Sequence, residues 1–83
     1  MIIHITQVKV VGPHELVLTF DNGASRRVNL ARELYGAVFE PLHDPDYFAQ
    51  VSIDPRSGTI TWPNGADFAP DFLYELEALP TVA

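Results

Sequence analysis

Thr59-Ile60-Thr61-Trp62-Pro63-Asn64-Gly65-Ala66-Asp67 places a strand, a strand-ending proline and a turn within nine residues, and the fold can be read outward from it. Thr59, Ile60, Thr61 and Trp62 are β-branched or aromatic and alternate in polarity, the pattern of a half-buried strand. Pro63 lacks the amide that a ladder would next require, and Asn64-Gly65 tolerates positive φ, so the strand stops and the chain turns. The signal is architectural. It sets backbone geometry and assembles no reactive group.

The residues before this stretch complete a hairpin over 51–62. Pro55-Arg56-Ser57-Gly58 forms a turn that sets Asp54 opposite Thr59, Ile53 opposite Ile60 and Val51 opposite Trp62. The apolar residues then share one face, and Ser52, Asp54, Thr59 and Thr61 occupy the other, as in an antiparallel sheet with one dry side. That pairing turns Trp62 into the core instead of leaving its ring to stack on a base or sugar. After the stretch, a C-terminal helix is expected over about 70–79, with Pro70 at its start and Asp71 near the positive end of its dipole. Phe72, Leu73, Leu76 and Leu79 make its apolar stripe, and Pro63 to Asp67 become the link that aims it over the sheet. Fraying is expected from about Pro80.

The N-terminal third carries a second set of strands. A strand from about Ile3 to Val11 puts Val8 and Val10 on one face but Ile3 and Ile5 on the other, which leaves its register open. Gly12-Pro13 ends it, and Glu15 to Phe20 follows with Leu16, Leu18 and Phe20 at period two. At Asp21-Asn22-Gly23, a two-residue loop would pair Phe20 with Ser25 and mix polar with apolar residues on one face. A three-residue loop pairs Phe20 with Ala24 and Leu16 with Val28, keeping the apolar positions together. The expected turn is therefore type I with Gly23 in the left-handed region, a G1 bulge. Asn29 can cap a short helix over Leu30 to Tyr35, with Leu30 and Leu34 inward and Gly36 at its end. Phe39, Leu42 and Phe48 then lie in a crossover interrupted by Pro41, where Asp44 can cap a short turn starting at Pro45.

The fold class is α+β: a small antiparallel sheet built from two hairpins plus an N-terminal strand, with a short middle helix and a C-terminal helix packed on one face. Residues 1–83 are expected to form a single domain. Its parts are the N-terminal strand and hairpin 3–29, the short helix and crossover 30–49, the hairpin 51–62 and the helix 70–79. No repeat, low-complexity segment or linker is evident. Phe20, Gly23, Phe39, Phe48, Ile53, Ile60, Trp62, Asn64, Gly65, Asp67 and Pro70 are the positions expected to carry the architecture.

With 83 residues, 47% of them apolar and no cysteine, the chain has no disulfide or thiolate zinc site and depends on its core for stability. A domain this size buries about 60 to 65% of its unfolded surface, so that core is thin. No apolar run is long enough to span a membrane, and the N-terminus has neither a basic region nor an apolar h-region, so a cytoplasmic protein is expected. The net charge of −6 is unevenly placed: residues 1–36 hold four Lys/Arg and three Asp/Glu, whereas residues 37–83 hold one and eight. The acidic part repels phosphate, which disfavours nucleic-acid binding by the isolated chain; only Arg26, Arg27 and Arg32 cluster as contacts, and solvated arginines are the simpler reading.

Candidate chemistry is sparse. Ser25, Ser52 and Ser57 lack the strained setting of an activated nucleophile, and the five glycines are too scattered to cradle a phosphate. His43, Asp44 and Asp46 are the best metal-like group, since imidazole and carboxylates ligate divalent cations, but Asp44 before Pro45 reads first as a helix cap. Asp67 and Asp71 stand four apart, as paired acid/base carboxylates would on a helix, but Pro70 interrupts any helix joining them. His4 and His14 are isolated and take no assigned role. No catalytic residue, cofactor or small-molecule substrate is assigned.

The order Gly36, Phe39, Leu42, Asp44, Phe48, Val51, then Ile60-x-Trp62-x-Asn64-Gly65-Ala66-Asp67, then Pro70 and Leu73-Tyr74, resembles the bacterial domain-of-unknown-function family numbered 2442. The Leu16-x-Leu18-x-Phe20-x-Asn22-Gly23 hairpin resembles the same family, so the likeness covers about residues 5–75. It implies a small α/β domain with no established activity. Some relatives append a C-terminal helix-turn-helix, and many are encoded beside another small protein, an arrangement similar to toxin and antitoxin pairs. The expectation is a non-catalytic interaction module that binds a small basic protein through residues such as Asp44 and Asp46, or self-associates through a sheet edge. The rivals are a nucleic-acid accessory protein using Arg26, Arg27 and Arg32, and a small enzyme or metal protein using His43 with Asp44 or Asp46.

Overall fold

The computed structural model describes residues 3–76. Three antiparallel strands, β1 (Ile5–Gly12), β2 (Glu15–Phe20) and β3 (Ser25–Asn29), form one sheet in the order β1-β2-β3. The parity conflict in the first strand is resolved by a bulge. Ile5 pairs with Phe20 but Gln7 pairs with Thr19, so Thr6 is an extra residue; beyond it Val8 faces Leu18 and Val10 faces Leu16. Ile5, Val8 and Val10 therefore oppose the three inward residues of β2, although Ile5 and Val8 differ in parity.

The first hairpin has the expected three-residue loop. Leu16 pairs with Val28, the Phe20 amide donates to the Ala24 carbonyl at 2.8 Å, and the Gly23 amide donates to the Phe20 carbonyl at 3.0 Å. Gly23 has φ 87°, the left-handed geometry that favours glycine. After β3, the helix expected over Leu30 to Tyr35 is a single 3-10 turn, Ala31–Glu33. Leu30 and Leu34 are both held in the core, and Gly36 turns the chain away at φ 87°, so only one turn fits between them. The Asn29 Oδ1 still accepts from the Ala31 amide at 2.8 Å. A second 3-10 helix, Ala37–His43, contains Pro41 and buries Leu42. It leads into α1 (Pro45–Phe48), where Asp44 caps the Asp46 amide at 2.9 Å as expected and Phe48 is buried.

Strands β4 (Ser52–Asp54) and β5 (Thr59–Thr61) pair in the expected register, Ile53 opposite Ile60 and Asp54 opposite Thr59. They form a separate two-stranded sheet, where a single sheet was expected from the sequence. The physical reason is that both edges of β5 are occupied. On the side away from β4 the chain folds straight back: Thr61 bridges Asp67, the Trp62 amide donates to the Ala66 carbonyl at 2.9 Å, and the Thr59 hydroxyl donates to the Phe68 carbonyl. Thr59 is consequently 3% exposed, which corrects the assignment of its face to solvent. The two sheets meet where the Ile5 amide donates to the Gly58 carbonyl at 2.7 Å.

The Pro63-Asn64-Gly65 turn repeats the first turn. The Gly65 amide donates to the Trp62 carbonyl at 2.9 Å, Gly65 has φ 87°, and the Asn64 Oδ1 accepts from Ala66 at 3.1 Å. Phe20-x-Asn22-Gly23-Ala24 and Trp62-x-Asn64-Gly65-Ala66 thus share the same turn chemistry. The last helix, α2 (Pro70–Glu75), is shorter than the expected 70–79, because Leu76 leaves helical geometry at ψ 145°. Leu73 is buried, but Phe72 is 40% exposed and so does not belong to the apolar stripe as expected; Leu79 lies outside the described residues.

These elements enclose one apolar cluster that draws Leu16, Leu18, Phe20 and Val28 from the first sheet, Leu42 and Phe48 from the crossover, and Ile60, Trp62 and Leu73 from the second half. Ile53 and Phe39 pack against it half-buried. Trp62 is in the core as expected, and its indole N–H donates to the Phe48 carbonyl at 2.9 Å. No helix among the described residues is long and apolar enough to cross a membrane.

Candidate functional site

The metal-like group is not assembled. His43 Nε2 lies 3.1 Å from the Leu34 carbonyl, an acceptor, so that nitrogen carries the proton and is occupied in holding the crossover. Asp44 is engaged as the α1 cap. Among the described residues no three His, Asp or Glu side chains stand together as ligands. His14, given no role from the sequence, has a structural one: its Nε2 donates towards the Leu42 and His43 carbonyls at 3.0 and 3.1 Å, and its ring meets Phe48 edge-on at 5.1 Å. Nothing local in the sequence marks these partners, which lie 28 and 29 residues away.

The arginines are likewise dispersed. Arg26 and Arg27 are consecutive in β3, so they project to opposite faces of the sheet. Arg27 Nη2 pairs with Glu15 Oε2 at 2.7 Å, and the Arg26 guanidinium sits over the Tyr74 ring at 4.8 Å. Both Nε atoms are buried without a partner, so the stems of these side chains are packed into the molecule. Arg32 alone of the three is exposed, on the first 3-10 turn. A phosphate track needs cations on one surface, and this arrangement provides none across the three. The Asp67–Asp71 pair also dissolves: Asp67 is in a strand bridge and Asp71 in the first turn of α2.

The surface carries exposed carboxylates, and beside the core lies an aromatic stack whose central ring, Phe68, is 8% exposed. Glu40, Asp44, Asp46, Asp67, Asp71 and Glu75 are all exposed. Phe68 stacks against Phe39 at 4.9 Å and against Phe72 at 5.8 Å, and Trp62 supports it edge-on at 5.9 Å. Val38, 47% exposed, sits beside Phe39, and its carbonyl accepts from the Asn64 side chain at 2.8 Å. Reading Phe72 as core concealed this stack; the available signal was the adjacency of Phe72 and Leu73, which a six-residue helix cannot both direct inward.

No curated protein matches the chain. A crystal structure of the "Putative DNA Binding Protein NE0471" from Nitrosomonas europaea ATCC 19718 is similar, with TM-score 0.77 and 27% identity over 89% of this chain. The match takes in 48% of that protein, so the chain spans about half the length of its solved relative. The model of the family described as "Protein of unknown function (DUF2442)" matches residues 5–78, which include both Asn-Gly-Ala turns, and the chain belongs to that family.

Proposed function

We propose that this domain is a non-catalytic protein-interaction module of the cytoplasm that binds a basic protein partner through its acidic surface. The observation that carries the reading is the division of charge: six carboxylates between Glu40 and Glu75 are exposed, while two of the five cations, Arg26 and Arg27, are engaged within the molecule. Such a surface attracts cationic partners and repels phosphate. The finer form of the proposal is an antitoxin-like neutraliser of a small basic protein. Pull-down from the native cell, washed at increasing salt, tests it. Capture should weaken with salt and with Asp44→Lys and Asp46→Lys together; capture indifferent to both would remove the acidic surface from the account.

The description of the solved relative as DNA-binding favours a second reading, a nucleic-acid accessory role. More than half of that protein lies outside the match, and under the first reading contacts to DNA belong to that remainder. The two readings separate in a gel-shift titration of this chain on duplex DNA. A steeply salt-dependent shift that disappears in Arg32→Gln would support the second.

A further inference from the structure

An asparagine followed by glycine is chemically labile, because the next backbone nitrogen can attack the side-chain amide and glycine has no Cβ to shield it. The chain has this pairing twice, at Asn22-Gly23 and Asn64-Gly65, and alanine follows both. Its third asparagine, Asn29, precedes Leu30 instead. The two Asn-Gly sites therefore present the same reacting atoms, and the fold decides how often each is free to react.

Each turn keeps those atoms occupied. The Gly23 amide donates to the Phe20 carbonyl at 3.0 Å and the Gly65 amide to the Trp62 carbonyl at 2.9 Å. The Asn22 and Asn64 Oδ1 atoms accept from Ala24 and Ala66 at 3.0 and 3.1 Å. Ring closure thus starts from a locally opened turn. Both asparagines and both glycines are exposed, so water reaches either site, and the preceding aromatic is buried in both. The turns differ in what else must break. Asn64 Nδ2 donates to the Val38 carbonyl at 2.8 Å, and Ala66 is held in the core at 2% exposure. Asn22 Nδ2 has the Tyr74 hydroxyl at 3.3 Å, and Ala24 is half-buried.

We propose that Asn22 is a self-modifying site of the folded chain, converted to aspartate and isoaspartate through the Gly23 nitrogen, and that the clamp on the crossover protects Asn64 from the same reaction. The Gly23 nitrogen gives its proton to hydroxide and bonds to Asn22 Cγ. The bond from Cγ to the side-chain nitrogen breaks, and that nitrogen takes up a proton and leaves as ammonia. Water then opens the five-membered imide. Attack at Cγ gives aspartate with the original backbone, and attack at the main-chain carbonyl gives isoaspartate, whose backbone runs through the side chain. Nothing is oxidised or reduced, and no partner is needed. Either product adds one negative charge. Isoaspartate also adds a backbone carbon to the loop that sets the β2–β3 register.

The test incubates the full chain at mildly alkaline pH in heavy-oxygen water, then digests it with trypsin in ordinary water. Trypsin places Asn22, Asn29 and Asn64 in separate fragments, 10–26, 28–32 and 57–83, for mass spectrometry. Heavy oxygen marks only conversions that precede digestion. Asn22 should convert about three- to tenfold faster than Asn64, the ratio that one additional hydrogen bond to open would give. Asn29 should be slowest, and in urea the two Asn-Gly sites should converge. On isoelectric focusing, the acidic band that grows with time should be lost in Asn22→Ser and kept in Asn64→Ser. Equal rates in the folded chain, a faster Asn64, or an Asn22 no faster than Asn29 would each overturn the proposal. So would a ratio unchanged in urea, which would assign the difference to Asp21 and Pro63 as sequence neighbours and not to the fold.

Discussion

At Phe20–Ala24 and again at Trp62–Ala66 the chain makes the same turn: a glycine at φ 87° in each, and an asparagine Oδ1 that accepts from the following alanine at 3.0 Å in the first and 3.1 Å in the second. The first turn closes a ladder of five residue pairs between β2 and β3, whereas the second is followed by the single bridge Thr61–Asp67. The second turn instead reaches far along the chain. Trp62 donates to the Phe48 carbonyl and Asn64 to the Val38 carbonyl, so two side chains of one turn hold opposite ends of the crossover. The same five-residue chemistry is thus a hairpin closure in one place and a tertiary clamp in the other.

If the second turn is a clamp, its aromatic should matter most. Phe20→Ala and Trp62→Ala each remove a buried ring, costing about 3 to 5 kcal/mol. Trp62→Ala also removes the indole donor to the Phe48 carbonyl, which keeps the Val51 amide at 3.3 Å, adding about 0.5 to 1.5 kcal/mol. A domain of this length has about 4 to 12 kcal/mol of stability, so Trp62→Ala should leave much of the chain unfolded at 37 °C and Phe20→Ala should melt earlier but cooperatively. Urea titrations of the two variants measure the difference. Equal midpoints would mean that the remote hydrogen bond contributes nothing beyond the ring.

The glycines should show the opposite, an equality. An added Cβ at Gly23 or Gly65 meets nothing within 4 Å, so alanine at either carries only the backbone cost of positive φ, about 1 to 2 kcal/mol. Melting temperatures of Gly23→Ala and Gly65→Ala should fall together, by about 4 to 8 °C per kcal/mol. Gly58→Ala serves as the contrast, because its Cβ would run into the His4 ring as well as sitting at φ 67°. A clear gap between Gly23→Ala and Gly65→Ala would show that the two turns differ in backbone strain and not only in their partners.

These contrasts also mark what the residues reveal before any coordinates. Both turns were legible because a turn's requirements, positive φ and a local side-chain acceptor, lie within a few adjacent residues. The same holds for the Ile53–Ile60 register and the Asp44 cap. The opposition of Arg26 and Arg27 was missed where the sequence grouped them with Arg32, although consecutive strand residues point to opposite faces whatever their charge. The bulge at Thr6 was visible only as a parity conflict, and choosing its position required knowing that Ile5 lies opposite Phe20. The His14 and His43 anchors depend on segments distant in sequence, whereas the exposure of Phe72 had a local signal in its adjacency to the buried Leu73. No local pattern encodes that β5 would use its free edge on Ala66 to Phe68.

Asn22→Asp and Asn64→Asp give the smallest effects and the sharpest separation. Aspartate keeps the oxygen that accepts from Ala24 or Ala66, so each turn is retained and only the amide's second bond changes. At position 64 that bond runs to the Val38 carbonyl, which cannot donate; a carboxylate there faces an acceptor, and about 1 kcal/mol should be lost, moderated by water at this exposed site. At position 22 the partner is the Tyr74 hydroxyl, 3.3 Å away, which can rotate and donate instead. The Arg26 guanidinium over the same ring adds a nearby positive charge. Asn22→Asp should therefore stay within about 0.5 kcal/mol of the parent, the range of ordinary surface changes. Parallel denaturant titrations decide it: equal losses would mean the remote bonds are idle and the turns differ only in the aromatic that precedes them.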